Sequence, residues 1–215
     1  MKIPIIINNR NLLTWTRKMV GKIKTYDNVG DIIIVDNKST YEPLLEWYNT
    51  KPCDIIFTDN LGHTCPWLSG VVNSLNSEYY IVSDSDMGLD DTPLDTITYL
   101  FDKMQELKLN KIGLGLNRDL VLEKHPYYGH INSYETGRYE NSRLVSGVYL
   151  DVEIDTTFAL YNISQHFCGG ASTWNPYVAK HYPWYYSRED VKNDEEFLFY
   201  LNNASDSATC KRYLL

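Results

Sequence analysis

Short, unbroken apolar runs alternate with helically spaced apolar residues through the first half of the chain. Ile3 to Ile7 (IPIII), Ile32 to Val35 (IIIV), Ile55 to Phe57 (IIF) and Tyr79 to Val82 (YYIV) are too short for helices and show no polar alternation. Runs of this kind mark strands covered on both faces. Between them, Leu12, Trp15, Met19, Val20 and Ile23 recur at helical spacing, and Glu42 to Tyr48 reads as a second helix. Pro66 opens a third, with Trp67, Val71, Val72 and Leu75 on one side. Pro93 opens the clearest helix, where Leu94, Ile97, Leu100, Phe101, Met104 and Leu107 form one stripe. Lys111 to Leu116 supplies a fifth strand. This order predicts an α/β fold: a mostly parallel central sheet flanked by helices, Rossmann-like in its first half, with right-handed crossovers.

Past Leu116 the pattern changes. Residues 117–147 carry polar and aromatic residues without a period, including HPYYGH at 125–130, and read as a long functional loop. Strand-like VYLDVEID and TFALYN follow, then FCGGASTW, HYPWYYS, and an acidic segment REDVKNDEEF that leads into a final helix. No internal repeat or linker interrupts the chain. The expectation is one domain, 1–215, with a ligand-binding half (1–116) and a second half (117–215).

Composition narrows the function. The chain has 215 residues and a formal net charge of −8, with no basic patch. That argues against nucleic acid or an anionic membrane as partner, and an anionic ligand would need a metal or a few placed Arg and Lys residues. The four cysteines, Cys53, Cys65, Cys168 and Cys210, form no CxxC pair, so a zinc signature is absent. No apolar stretch reaches the ~20 residues of a membrane span. A strand begins at once after Met1, and the expectation is a cytoplasmic protein with reduced thiols.

In sheets of this type, ligands bind outside the carboxyl ends of the strands. Three polar clusters stand immediately after strands: Asn8-Asn9-Arg10, Asp36-Asn37-Lys38-Ser39-Thr40 and Asp84-Ser85-Asp86. Alternate side chains of an extended segment point the same way, so Asp84 and Asp86 can face one hard divalent cation. A polar turn before a helix is the competing reading of the pair. Asp90 and Asp91 precede Thr92-Pro93 and are expected to cap the next helix. Asp36 can accept from ribose hydroxyls or a base N–H, or can hold an Asx turn. Asp59-Asn60-Leu61-Gly62 repeats the theme after the third strand.

IPIIINNR, IIIVDNKST, the DNLG turn and YYIVSDSD, in this order and spacing, resemble the amino-terminal half of GT-A glycosyltransferases, in particular the family 2-like group. The resemblance covers residues 3–90. It implies a GT-A fold and a donor site that takes a nucleoside-diphosphate sugar, UDP-linked, through Asn8, Arg10, Asp36, Asn37, Asn60 and Asp84. It further implies Mn²⁺ or Mg²⁺ held by Asp84 and Asp86, with the ion bridging the donor diphosphate. In the second half, Gly169-Gly170 is similar to the small-residue segment placed under the sugars. REDVKNDEEF is similar to the acidic motif beneath the acceptor, which makes Asp194, then Asp190, the expected base for inverting transfer to a glycan hydroxyl. Arg10, Arg118 and Arg188 are candidates for the diphosphate. Trp174, Trp184 and Tyr185 are candidates for stacking on the acceptor, or core residues.

A narrower resemblance, to the amino-terminal glycosyltransferase domain of a chlorella-virus capsid-glycan-building protein, implies a viral enzyme acting on a glycoprotein. Two other classes compete. A non-catalytic sugar-nucleotide or glycan-binding module would keep the fold without turnover. An aspartate-nucleophile phosphatase would also carry DxD after a strand, but it requires Thr or Val where this chain has Gly88.

Overall fold

The computed structural model of the protein describes residues 1–117, 123–163, 169–205 and 208–215. Arg118, His166 and Cys168 lie outside the described residues. The first half builds β1 (Ile3–Asn9), α1 (Thr14–Ile23), β2 (Val29–Asn37), α2 (Glu42–Tyr48) and β3 (Asp54–Thr58). It continues with α3 (Cys65–Leu68), α4 (Val71–Ser74), β4 (Tyr79–Asp84), β5 (Met87–Gly88) and α5 (Thr96–Glu106). The second half builds β6 (Lys111–Gly113), β7 (Gly115–Leu116), α6 (Tyr128–Glu140), β8 (Arg143–Val145), β9 (Val148–Leu150) and β10 (Ala159–Asn162). It ends with β11 (Ala171–Thr173), β12 (Val178–His181), α7 (Arg188–Asn193), α8 (Glu195–Asn203) and α9 (Thr209–Leu214).

The large sheet has nine strands in the order β3-β2-β1-β4-β10-β6-β11-β9-β8. Within the described sheet only β9 and β10 run against the others, so the expected mostly parallel α/β architecture holds. The polar-free runs have the predicted cause. Ile5 and Ile7 of β1 join the core beneath α1 and α5, with Met19, Ile23, Leu100 and Met104. Ile6 points the other way, into the core shared with Cys65, Val71, Val72 and Tyr161. All three isoleucines are fully buried, and each contributes roughly 1.5–3 kcal/mol. A third cluster packs Leu12 and Trp15 against Val191, Phe197, Leu201 and Leu214, tying the C-terminal helices to the first loop.

Several boundaries differ from the sequence expectation. The Pro66 helix breaks into α3 and α4 at Gly70, which adopts φ +80°. The single strand expected over 111–116 is two: β6 stays in the large sheet, and β7 joins a small sheet of order β5-β12-β7. The expected loop over 117–147 contains a helix, α6, of 13 residues. Its apolar residues follow no stripe because polar and aromatic side chains face a cavity rather than the core, so the usual helical signal is missing. Asp90 and Asp91 cap nothing. Asp90 accepts the Tyr182 hydroxyl at 2.8 Å and Asp91 pairs with Lys180 at 2.5 Å, fastening the segment after β5 to β12.

Candidate active site

A cavity of about 840 Å³ opens at the carboxyl ends of β1, β2 and β4. Asn8, Arg10, Asn37, Asn60, Asp84 and Asp86 line it, so six of the residues singled out in the sequence meet there. Each is placed by a strand end. Asp84 closes β4 beside Asn8, its register partner on β1. Its Oδ1 accepts the Asn8 amide at 3.1 Å, and its Oδ2 accepts the Thr156 hydroxyl. The backbone repeats the link, with Asp84 N–H donating to the Thr156 carbonyl at 2.9 Å. Burial, and next the charge of Asp86, push the Asp84 carboxyl up to about 8. Both its oxygens are engaged, so Asp84 shapes the site.

Asp86 behaves differently. Its Oδ1 is buried and has no hydrogen-bond partner, while Oδ2 lies 3.3 Å from Nε2 of His181. That neighbour comes from the far end of the chain. The small sheet sets Met87 opposite His181 and Gly88 opposite Lys180, and Tyr182 N–H donates to the Asp86 carbonyl at 3.0 Å. Gly88 is required for this closure, because a Cβ there would stand 2.8 Å from the Tyr182 ring. The other ring nitrogen of His181, Nδ1, is also buried without a partner, and its ring edge packs 5.0 Å from Trp184.

Sequence spacing offered no sign of His181, since only the β5–β12 pairing brings it near. Among the described residues, no group of three or more His, Cys, Asp and Glu side chains is disposed to hold a metal. The pair Asp86–His181 is nonetheless the donor set that a divalent cation accepts when phosphate oxygens and waters complete its shell. The unpartnered Asp86 Oδ1 fits that role.

The end of the cavity beside β1 and β2 is built around Asn9, which the sequence reading placed in the Asn8-Asn9-Arg10 cluster without assigning it to the donor. Asp36 lies behind the wall, 1% exposed, and is not among the cavity-lining residues. Its Oδ1 accepts Ser39 N–H at 2.8 Å and its Oδ2 accepts the Tyr48 hydroxyl at 2.9 Å. Burial, then the Asp36 charge, raise the Tyr48 phenol above its ordinary range, so it stays protonated and gives its one hydrogen to Asp36. Tyr48 oxygen is left only to accept, which it does from Asn9 Nδ2 at 2.8 Å. The Asn9 amide is thereby oriented, and its Oδ1 is buried with no partner. Asn37 is spent on the turn, donating to the Gly62 carbonyl and accepting Leu61 N–H.

Other expected residues fall elsewhere. Asp190 forms a capping box with Ser187 at the start of α7. Those Ser187 hydrogen bonds hold its carboxyl below the ordinary range. Asp194 caps α8, accepting Phe197 N–H at 2.9 Å and the Tyr186 hydroxyl at 2.7 Å. Neither lines the cavity, where the acids are Asp84, Asp86, Glu135, Glu153 and Asp155. Gly169 and Gly170 also stand outside the lining. A Cβ on Gly170 would meet Ile154 at 3.0 Å and Lys111 at 3.2 Å, so this glycine serves core packing. Arg188 donates to the Tyr213 carbonyl rather than to the cavity. Trp184 is a cavity residue, whereas Trp174 packs on Tyr149.

No family model and no curated protein matches the chain. Solved structures do. Glucosyl-3-phosphoglycerate synthase from Mycobacterium tuberculosis, in complex with Mn²⁺, UDP-glucose and phosphoglyceric acid, is 10% identical. It superposes with a TM-score of 0.50 over 76% of this chain and 57% of that one. S. aureus TarS is 12% identical over 76% of this chain and 29% of its own, with a TM-score of 0.46. CMP:2-keto-3-deoxy-manno-octonic acid synthetase complexed with CTP is 15% identical over 54% of this chain and 53% of its own, with a TM-score of 0.38. The chain thus spans between 29% and 57% of these structures. At such identities the likeness establishes the fold alone: the protein has the GT-A, nucleotide-diphospho-sugar transferase fold. Among the described residues no helix is long and apolar enough to cross a membrane.

Proposed function

We propose that the protein is a metal-dependent glycosyltransferase that moves a sugar from a UDP-sugar to an acceptor hydroxyl. The observation that carries this reading is the convergence, in a GT-A fold, of Asn9, Asp84, Asp86 and His181 on one cavity at the carboxyl edge of the sheet. The sequence resemblance sets the acceptor hydroxyl on a glycan, and the capsid-glycoprotein setting rests on that resemblance only.

Asn9 Oδ1 supports a donor base that offers an imide N–H, as uracil and thymine do and guanine shares. Cytosine and adenine present an acceptor at the corresponding ring nitrogen, which would leave two acceptors facing each other. Asp86 and His181 would hold Mn²⁺ or Mg²⁺, with Asp84 and Thr156 shaping the acidic pocket behind them. The ion would neutralise the diphosphate as it departs. Proton removal from the acceptor falls to a carboxylate that faces the cavity (Asp155, Glu153 or Glu135), because Asp194 and Asp190 are committed to caps. The inverting outcome inferred from those two residues rests on the sequence resemblance alone.

Calorimetric titration with UDP, with and without Mn²⁺, followed by UDP release from a panel of UDP-sugars, tests the reading. Manganese-dependent UDP binding with measurable release supports it. UDP binding without turnover in the presence of acceptors would favour a sugar-nucleotide-binding module. No UDP binding, together with phosphatase activity, would overturn it.

A further inference from the structure

Opposite the acidic wall, the cavity is bounded by α6. His130, Ile131, Tyr134, Glu135 and Arg138, which fall on one helical face, all line it. Tyr134 is 61% exposed, with the His130 ring stacked 6.4 Å to one side and the Arg138 guanidinium 5.8 Å to the other. Glu135 is only 3% exposed and is held by Arg138 through both carboxylate oxygens, at 3.0 and 3.2 Å. The second Arg138 amine donates to the Glu153 carbonyl. Tyr127, at the foot of the helix, stacks on Tyr213 of α9 at 3.4 Å, which anchors this wall to the C-terminal helix.

The charge of the cavity decides what this wall can take. Its lining holds five carboxylates (Asp84, Asp86, Glu135, Glu153 and Asp155) against two guanidinium groups, Arg10 and Arg138. Arg138 is neutralised by Glu135, and Arg10 donates to the Asn203 carbonyl at 3.1 Å. No lysine is among the described lining residues. A donor diphosphate would draw on the proposed cation and Arg10, which leaves, among the described lining residues, no uncommitted guanidinium or ammonium group for a second anion. What remains on α6 is an exposed aromatic ring beside a fixed carboxylate–guanidinium pair. Aromatic surfaces meet the C–H faces of pyranose rings, and the polar pair meets hydroxyls.

We infer that α6 is the acceptor wall, and that the acceptor it takes is an uncharged sugar ring of a glycan rather than a phosphorylated or carboxylated small molecule. This rests on the glycosyltransferase reading above and deepens it.

The test uses the full chain with Mn²⁺ and whichever UDP-sugar shows the fastest background UDP release. Methyl glycosides of glucose, galactose, xylose and fucose serve as neutral acceptor probes, and 3-phosphoglycerate as the anionic one. At least one glycoside should raise UDP release fivefold or more over background, and 3-phosphoglycerate should not. Tyr134→Ala should raise the KM of that glycoside at least tenfold with a smaller change in kcat, and Tyr134→Phe, which keeps the ring, should restore it to within twofold. Because Tyr134 is exposed, the melting temperature of both variants should match wild type. Stimulation by 3-phosphoglycerate, silence from every glycoside, or an unchanged KM in Tyr134→Ala would overturn the inference. Background UDP release with no glycoside response defeats this inference alone. A protein that neither binds UDP nor releases it loses the glycosyltransferase reading, and the acceptor wall with it.

Discussion

Asp84→Asn separates the electrostatic reading of the site from a purely architectural one. Asp84 titrates near 8 in the folded protein because burial and the adjacent Asp86 both oppose its charge, against about 3.9 in an unfolded chain. Between those two values the folded state binds more protons than the unfolded state, so stability falls as pH rises through the window and levels off above it. A shift of that size corresponds to an upper bound of roughly 5 kcal/mol at neutral pH. The carboxylate still meets the cavity's water and shares its shift with Asp86, which reduces the working figure to roughly 2–3 kcal/mol. Asparagine keeps the shape. Its Oδ1 can accept from Asn8, and its amide can donate to the Thr156 hydroxyl. In chelator at pH 8, Asp84→Asn should therefore melt about 5–10 °C above wild type, with the gap closing toward pH 5. Added Mn²⁺ should raise the midpoint of wild type and of Asp84→Asn alike, because Asp86 and His181, which would hold the ion, remain in both. Melting curves by circular dichroism, from pH 5 to 9 with and without Mn²⁺, measure all of this. A variant that melts at or below wild type at pH 8 would refute the argument.

Three further outcomes follow from the geometry. His181→Ala should weaken Mn²⁺ binding by tenfold or more, read by titration calorimetry in the presence of UDP; unchanged affinity would remove His181 from the cation site. Tyr48→Phe deletes the hydroxyl between Asp36 and Asn9, and the groups left unpaired should cost about 1–3 kcal/mol of stability. The same variant should lower affinity for UDP more than for CDP, and equal losses for both would sink the assignment of Asn9. Asp194→Ala removes a helix cap and should cost about 1 kcal/mol, seen as a drop of a few degrees in melting temperature. An unchanged midpoint with turnover abolished would return Asp194 to the base role that its sequence context suggested.

The apolar runs of the first half were legible because a strand buried on both faces leaves an unbroken signature. Ile5, Ile6 and Ile7 occupy opposite faces of one sheet as that signature requires. The DxD turn was legible for a related reason: β4 delivers Asp84 to a sheet edge whose position follows from topology. The helix α6 was not, since periodicity detects a face turned to a core, and this face is turned to a cavity. Asp36 shows a different limit. Its residue type and position suit a nucleoside contact, but a tyrosine brought in by α2 takes its outer oxygen and orients Asn9, which is the residue that lines the cavity. Asp194 and Asp190 have the composition of a catalytic helix start and the hydrogen bonds of an ordinary one.

The two-residue strand β5 is a short contact with a consequence for when the site can exist. During synthesis, the first four strands of the sheet emerge early, and with them the cavity wall around Asn9 and the side chains of Asp84 and Asp86. His181 leaves the ribosome much later, and only then can Met87 pair with it. Until that moment Asp86 lacks the imidazole beside it. A nascent chain can form the edge of the first strands long before Asp86 meets His181, so on the proposed reading cation affinity would mark the point at which both halves of the chain have closed on each other.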